Sequence, residues 1–148
     1  MPRQRSDGQQ RQIALALGEA ARGQAVPFAT VDKERQRVVG STRFGNLERW
    51  QWVHPPVEPR ALGPDAVEIG WTWLAAGAQR TYVNTEAKLL MLTHAFEVWR
   101  VRRVTFKTDA RNARSRANIE RAGARLDGVW RAHMPAADGG VRDSAVFS

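Results

Sequence analysis

The chain has no cysteine, which excludes disulfide staples, thiolate metal sites and a cysteine nucleophile, and gives no sign of an oxidising compartment. No apolar run approaches the roughly 20 residues needed to span a bilayer. The opening MPRQRSDGQQRQ lacks the apolar centre of a secretory signal, so a cytoplasmic location without a membrane partner is the expectation. There are three histidines; His54 and His94 have no partner at metal-ligand spacing, and no metal is expected. Lysine is scarce too, confined to Lys33, Lys88 and Lys107, so the 23 basic residues are overwhelmingly arginine.

That arginine gives a formal charge of +8 over 148 residues and a pI near 11.3. Such a balance makes nucleic acid worth considering as a partner. However, no helix-turn-helix spacing, zinc finger or aromatic platform accompanies it, and nucleic acid is not expected. The basic residues are densest from Arg100 to Arg125, a zone that attracts polyanions, small phosphorylated cofactors among them. The length suits a single domain over residues 1–148 with one core.

Pattern along the chain gives the order α-β-β-β-α-β-α-β-β. Residues 9–22 carry Ile13, Leu15, Ala16, Leu17 and Ala20 as a stripe, with Gly23 as a stop. Residues 25–31 and 37–44 read as a hairpin around DKERQ, and residues 45–64 as a long proline-rich loop. A strand over 67–74 precedes a helix over 84–99, capped by Asn84 or Thr85 with Glu86 in its first turn. A strand over 101–108 completes a βαβ unit. A helix from Asn112 to Ala122 and two strands, 128–134 and 141–147, finish the chain.

The stretch VEIGWTWLAAGAQRTYVNT, residues 67–85, is the most informative. A strand that runs through a short loop straight into a helix places free backbone N–H groups where an anion can sit. The functional reading is that the N–H groups of Arg80, Thr81, Tyr82, Val83, Asn84 and Thr85 hold a phosphorylated cofactor, helped by the Gln79 and Arg80 side chains. An ordinary capped helix start is the bland alternative. Asn112 and Ser115 likewise read either as ligands or as a helix cap and its first turn. Trp50 and Trp52 either wall an acceptor pocket or cover a core edge. His133 is a neutral-pH base by type, though a lone histidine is more often structural.

These segments, VPFATVD, VVGSTRF, VEIGWTWL, QRTYVNTEAKLLML, KTDARNARSRANIERAGARLDGV and HMPAADGGVRDSAVFS, lie in an order that resembles the GNAT superfamily of N-acetyltransferases. More narrowly they are similar to the branch that includes ribosomal-protein N-terminal acetyltransferases acting on alanine or serine. The resemblance covers about four fifths of the chain. It implies an α/β fold with a mixed, mostly antiparallel central sheet flanked by helices, here without the usual first strand and helix. It implies acetyl-CoA as co-substrate and a primary amine, on a protein N-terminus or a small molecule, as acceptor. The pantetheine arm is then expected along Trp73 and Leu74, the phosphates at Gln79 to Thr85, and further cofactor contacts at Asn112 and Ser115. Ser115 is the implied general acid and Glu68 the implied base for direct attack by the amine. Tyr82 and Asn84 stand where the superfamily's loop carries small residues. A non-catalytic acyl-CoA-binding module is the alternative, and a homodimer is compatible with either.

Overall fold

The computed structural model describes residues 3–56 and 63–148. Helix α1 (Arg3–Ala21) leads into β1 (Val26–Asp32), β2 (Arg37–Glu48) and β3 (Ala66–Leu74); then follow α2 (Tyr82–Thr93), β4 (Arg103–Asp109), α3 (Ala113–Arg121), β5 (Leu126–Pro135) and β6 (Val141–Phe147). The strands form one six-stranded sheet in the order β1-β2-β3-β4-β6-β5. Only β3 and β4 are parallel; β1–β2, β2–β3, β4–β6 and β5–β6 are antiparallel. The predicted fold class and element order are therefore present. Among the described residues no helix is long and apolar enough to cross a membrane.

The core lies where β2, β3, β4 and β6 meet α2. Phe44, Val67, Ile69, Val104, Phe106, Ala145 and Phe147 pack there with Met91 and Ala95. Alternation puts these residues on one face of their strands; the other face carries Arg43, Glu68 and Lys107. After Thr93, α2 widens into a π-type turn over His94–Val98, with the Trp99 N–H reaching His94 O at 3.0 Å. This lets His94 and Trp99 stack against one another, at 4.8 Å, and against Phe44.

Several boundaries and one face differ from expectation; α1, predicted over 9–22, starts at Arg3. Strand β2 runs on to Glu48, because Asn46 adopts a left-handed φ of 46° and forms a bulge rather than ending the strand. Two residues, Asn46 and Leu47, stand opposite Val67. Helix α2 begins at Tyr82 with Thr81 as N-cap, not Asn84 or Thr85; three cap-competent residues lie within one turn, and the Thr81 hydroxyl accepts from Val83 N–H. In α1 the apolar residues do not form a buried stripe. Ala16 is buried, while Ile13, Leu15 and Leu17 are exposed, since positions two apart diverge by about 200° around a helix. The predicted 45–64 loop is accordingly shorter, and residues 57–62 of it lie outside the described set.

A second bulge positions everything that follows. Ser41 pairs with Trp73 and Arg43 with Gly70, so Thr42 faces two residues, Trp71 and Thr72. Trp71 takes a φ of 52°, a left-handed conformation that costs a bulky residue about 1–3 kcal/mol. Its ring is held between the Arg43 guanidinium, 4.1 Å from the ring centroid, and the backbone of Gly45. A Cβ on Gly45 would stand 2.6 Å from two ring carbons. Gly45→Ala should therefore lower stability in urea denaturation by about 1–3 kcal/mol, and a change within error would show that the ring is not confined there.

Candidate functional site

Strands β3 and β4 pair only over Ala66↔Arg103, Val67↔Val104 and Glu68↔Thr105. Beyond that point they part. From Phe106, β4 bonds β6 on its other edge, while β3 continues to Leu74 alongside β2. Their facing edges, residues 70–74 and 106–109, are left unpaired with one another. The gap opens into a cleft of about 970 Å³ between the two strands, the start of α2 and the start of α3.

The lining of this cleft is one-signed. It carries Arg80, Lys88, Lys107, Arg114, Arg121 and Arg142 and no aspartate or glutamate. At its outer end the α2 N-terminus contributes its dipole and its unpaired N–H groups. Val83 N–H is taken by the Thr81 cap, whereas Tyr82 and Asn84 N–H have no acceptor among the described residues. Arg80, at a φ of 61°, turns the chain into the helix. Such a mouth suits a group with several negative charges.

The sequence-predicted residues separate into two groups. Leu74, Gln79, Arg80, Thr81, Asn84, Thr85, Asn112 and Ser115 all line the cleft. Trp73 is on the opposite face, half exposed; Tyr82 is exposed, and Val83 is buried in a small core with Val39 and Ala78. None of these three lines the cleft. Gln79 Nε2 donates to Leu74 O at 3.0 Å, so this side chain shapes the loop. Asn112 Oδ1 accepts from Ser115 N–H at 3.0 Å, the helix-cap geometry. Ser115, half buried in the first turn of α3, lines the cleft.

Glu68 stands at the last residue pair before the strands part. Its Oε2 accepts from Lys107 Nζ at 2.8 Å and from Asn46 Nδ2 at 2.6 Å. Both partners are largely buried, at 15% and 10% side-chain exposure for Lys107 and Glu68. An ion pair at that depth is strongly coupled and costly to break from one side. Lys107 also lies over the Trp130 ring, 4.8 Å from its centroid. His133 is bonded to the buried Ser144 through Nδ1 at 2.8 Å and touches the Trp130 edge, which fits the structural reading. Trp50 and Trp52 lie away from the cleft: their indole N–H groups donate to Glu48 and Asp65, and Arg103 and Arg102 stack on them.

Lys88, which sequence reasoning passed over, proves the most unusual residue here. Its Nζ donates to the hydroxyls of Thr42 at 3.0 Å and Thr72 at 2.7 Å, both at the Trp71 bulge. No carboxylate pairs with it among the described residues, and burial pushes its pKa down to about 8. The signal was a lone lysine in the apolar run EAKLLML. Among the described residues no cluster of acidic residues and histidines could hold a metal.

The family model for the GNAT acetyltransferase domain matches residues 1–125. A protein described as an acetyltransferase from T. thermophilus is 34% identical, with a TM-score of 0.67; the match covers 91% of this chain and 62% of that one. This chain thus spans less than two thirds of that relative. At lower identity, which speaks for the fold alone, stand two more. The ribosomal-protein-S5-alanine acetyltransferase from Vibrio fischeri has 16% identity and a TM-score of 0.71, over 95% of this chain and 69% of that one. The microcin C7 self-immunity acetyltransferase MccE, solved with acetyl-CoA and AMP, has 19% identity and a TM-score of 0.70, over 93% and 67%. No curated protein matches in sequence. With a sheet split between its two parallel strands, a helix N-terminus at the mouth of the split and a family match over most of its length, the chain belongs to the GNAT acetyltransferase family.

Proposed function

We propose that this chain is an N-acetyltransferase that takes an acetyl group from acetyl-CoA and passes it to a primary amine by direct attack. The observation that carries the reading is the cleft itself, which has six cations, no carboxylate and a capped helix N-terminus at one end. Such a lining repels a cationic ligand and attracts a pyrophosphate. The fold-neighbour MccE was solved with acetyl-CoA bound.

In this reading the Tyr82 and Asn84 N–H groups and Arg80 hold the phosphates at the mouth, beside Thr81 and Thr85. The unpaired edge of β3 up to Trp73 and Leu74 takes the extended pantetheine arm by main-chain hydrogen bonds, as a sheet edge takes an added strand. Acetyl-CoA, when bound, supplies an acetyl group already activated as a thioester. Backbone N–H groups at the Trp71 bulge face the carbonyl oxygen and stabilise the charge that grows there. Ser115 hydroxyl donates a proton to the leaving sulfur, with Asn112 fixing the α3 turn that presents it. Glu68 receives the amine proton through water at Oε1, since Oε2 is held by Lys107 and Asn46.

A second reading, a module that binds acyl-CoA without turnover, is favoured by one fact. Glu68, on the far face of the sheet where β3 and β4 part, is already committed to an ion pair with Lys107. Titration calorimetry with acetyl-CoA followed by an amine panel separates the two. Binding with turnover supports the enzyme, binding without turnover the module, and no binding at millimolar acetyl-CoA removes both.

Arg80→Glu should weaken acetyl-CoA affinity about tenfold or more, the scale of a lost charged hydrogen bond, without moving the urea midpoint of this exposed residue. Ser115→Ala should lower kcat while leaving the calorimetric Kd within about twofold; equal loss in both would assign Ser115 to binding.

A further inference from the structure

From the geometry of Lys88 we infer that it is a self-acetylation site, an internal amine acceptor within the cleft; this rests on the acetyl-CoA reading above. An ammonium has three N–H donors. Two of those on Lys88 go to Thr42 and Thr72, and the side chain lines the cleft. Loss of the third proton leaves a lone pair on the remaining direction, with the nitrogen held in place by the two hydroxyls. A fixed amine beside a bound thioester reacts as an intramolecular partner and gains the corresponding rate advantage.

Its position along the cleft is the right one. Lys88 is six residues along α2 from Tyr82, about 9 Å inward from the phosphate end at 1.5 Å per residue. Its nitrogen touches Thr72, next to the Trp71 bulge where the acetyl end is placed. The surroundings also favour the free amine. The charged groups that share its cleft are all cations, Lys107 and Arg142 among them. On its own helix the one other charged residue is Glu86, and neither it nor Asp32 of β1, which bonds Arg35, makes an ion pair with Lys88. Arg43 and Glu68 of β2 and β3 face the other side of the sheet, paired with Glu19 and Lys107. Burial alone lowers the Lys88 pKa to about 8, so a large fraction is neutral in mildly alkaline buffer.

In the step, the Lys88 nitrogen attacks the acetyl carbonyl carbon, a C–N bond forms and the C–S bond breaks. The sulfur leaves as a thiolate and takes up the proton that the nitrogen gives up, yielding acetyl-lysine and free CoA thiol. The product removes a cation from the cleft and fills the space beside β3, so the modification is self-limiting and lowers further acetyl-CoA binding.

The chain holds only three lysines, which makes the test direct. The purified protein is incubated with acetyl-CoA between pH 6.5 and 9.5, and peptides are mapped by mass spectrometry. Expected is one acetyl group per chain at Lys88, forming about tenfold faster per pH unit below pH 8 and levelling above it, as one ionisation requires. Lys33, exposed in the β1–β2 turn, reports background chemical acetylation, and Lys107 reports an ion-paired amine. Modification of Lys88 no faster than Lys33, or of Lys107 in its place, overturns the inference. Lys88→Arg should abolish the fast modification; if that variant does not fold, the wild-type map decides alone. Calorimetric binding of acetyl-CoA with an unmodified Lys88 refutes self-acetylation only, whereas absence of binding refutes the acetyl-CoA reading as well.

Discussion

The parting of β3 from β4 after Glu68 and Thr105 is the constraint on which the site depends. Two parallel strands that remained paired to their ends would leave no cleft, since the backbone groups of residues 70–74 would be satisfied by β4. The split has identifiable causes. Trp71 and Thr72 occupy the space of one residue opposite Thr42, which bends β3, and β4 turns to bond β6 from Phe106 onward. At the apex the Glu68–Lys107 ion pair ties the two strands together. The bulge is stabilised from both faces of the sheet: Arg43 and Gly45 confine the Trp71 ring on one, and Lys88 holds Thr42 and Thr72 on the other. A strained tryptophan backbone persists because its neighbours over-determine it.

Electrostatics gives the cleft its chemical preference. Six cations line the cleft and, among the described residues, only Lys107 has a carboxylate partner, Glu68; a folded protein tolerates such repulsion where a ligand supplies the missing charge. The cations that do have acidic partners sit outside the cleft or at its apex. Arg43 pairs with Glu19, Arg111 with Asp109 and Asp138, and Lys107 with Glu68. The Arg111 guanidinium holds the Asp109 carboxyl down to about 2, an exposed pairing at the end of β4 that bridges to the β5–β6 turn. Lys88 differs from all of these in being half-buried with hydroxyls as its hydrogen-bond partners.

Much of this was legible from residues. Alternation and helical spacing located every strand and helix, and the strand–loop–helix of residues 67–85 led to the mouth of the cleft. The element boundaries were harder. Asn46 continues β2 where Val67, remote in sequence, faces the bulge, and Thr81 is singled out from three cap-competent residues by the local turn, in which Ala78 O receives its hydroxyl at 2.7 Å. In α1, apolar content was visible but its scatter around the helix was read as a stripe. Glu68 and Ser115 are singled out by family resemblance alone. The ion pair that occupies Glu68 and the two threonines that hold Lys88 come from residues 16 to 46 positions away, a distance no local pattern carries.

Amide hydrogen exchange with and without acetyl-CoA tests the split-sheet account most directly. Protection should appear on the free edge of β3 within residues 70–74 and in the first turn of α2 around Tyr82 and Asn84, with little change in β1 or β5. Protection confined to other elements, or none at saturating acetyl-CoA, would contradict the claim that the gap between β3 and β4 is the binding site.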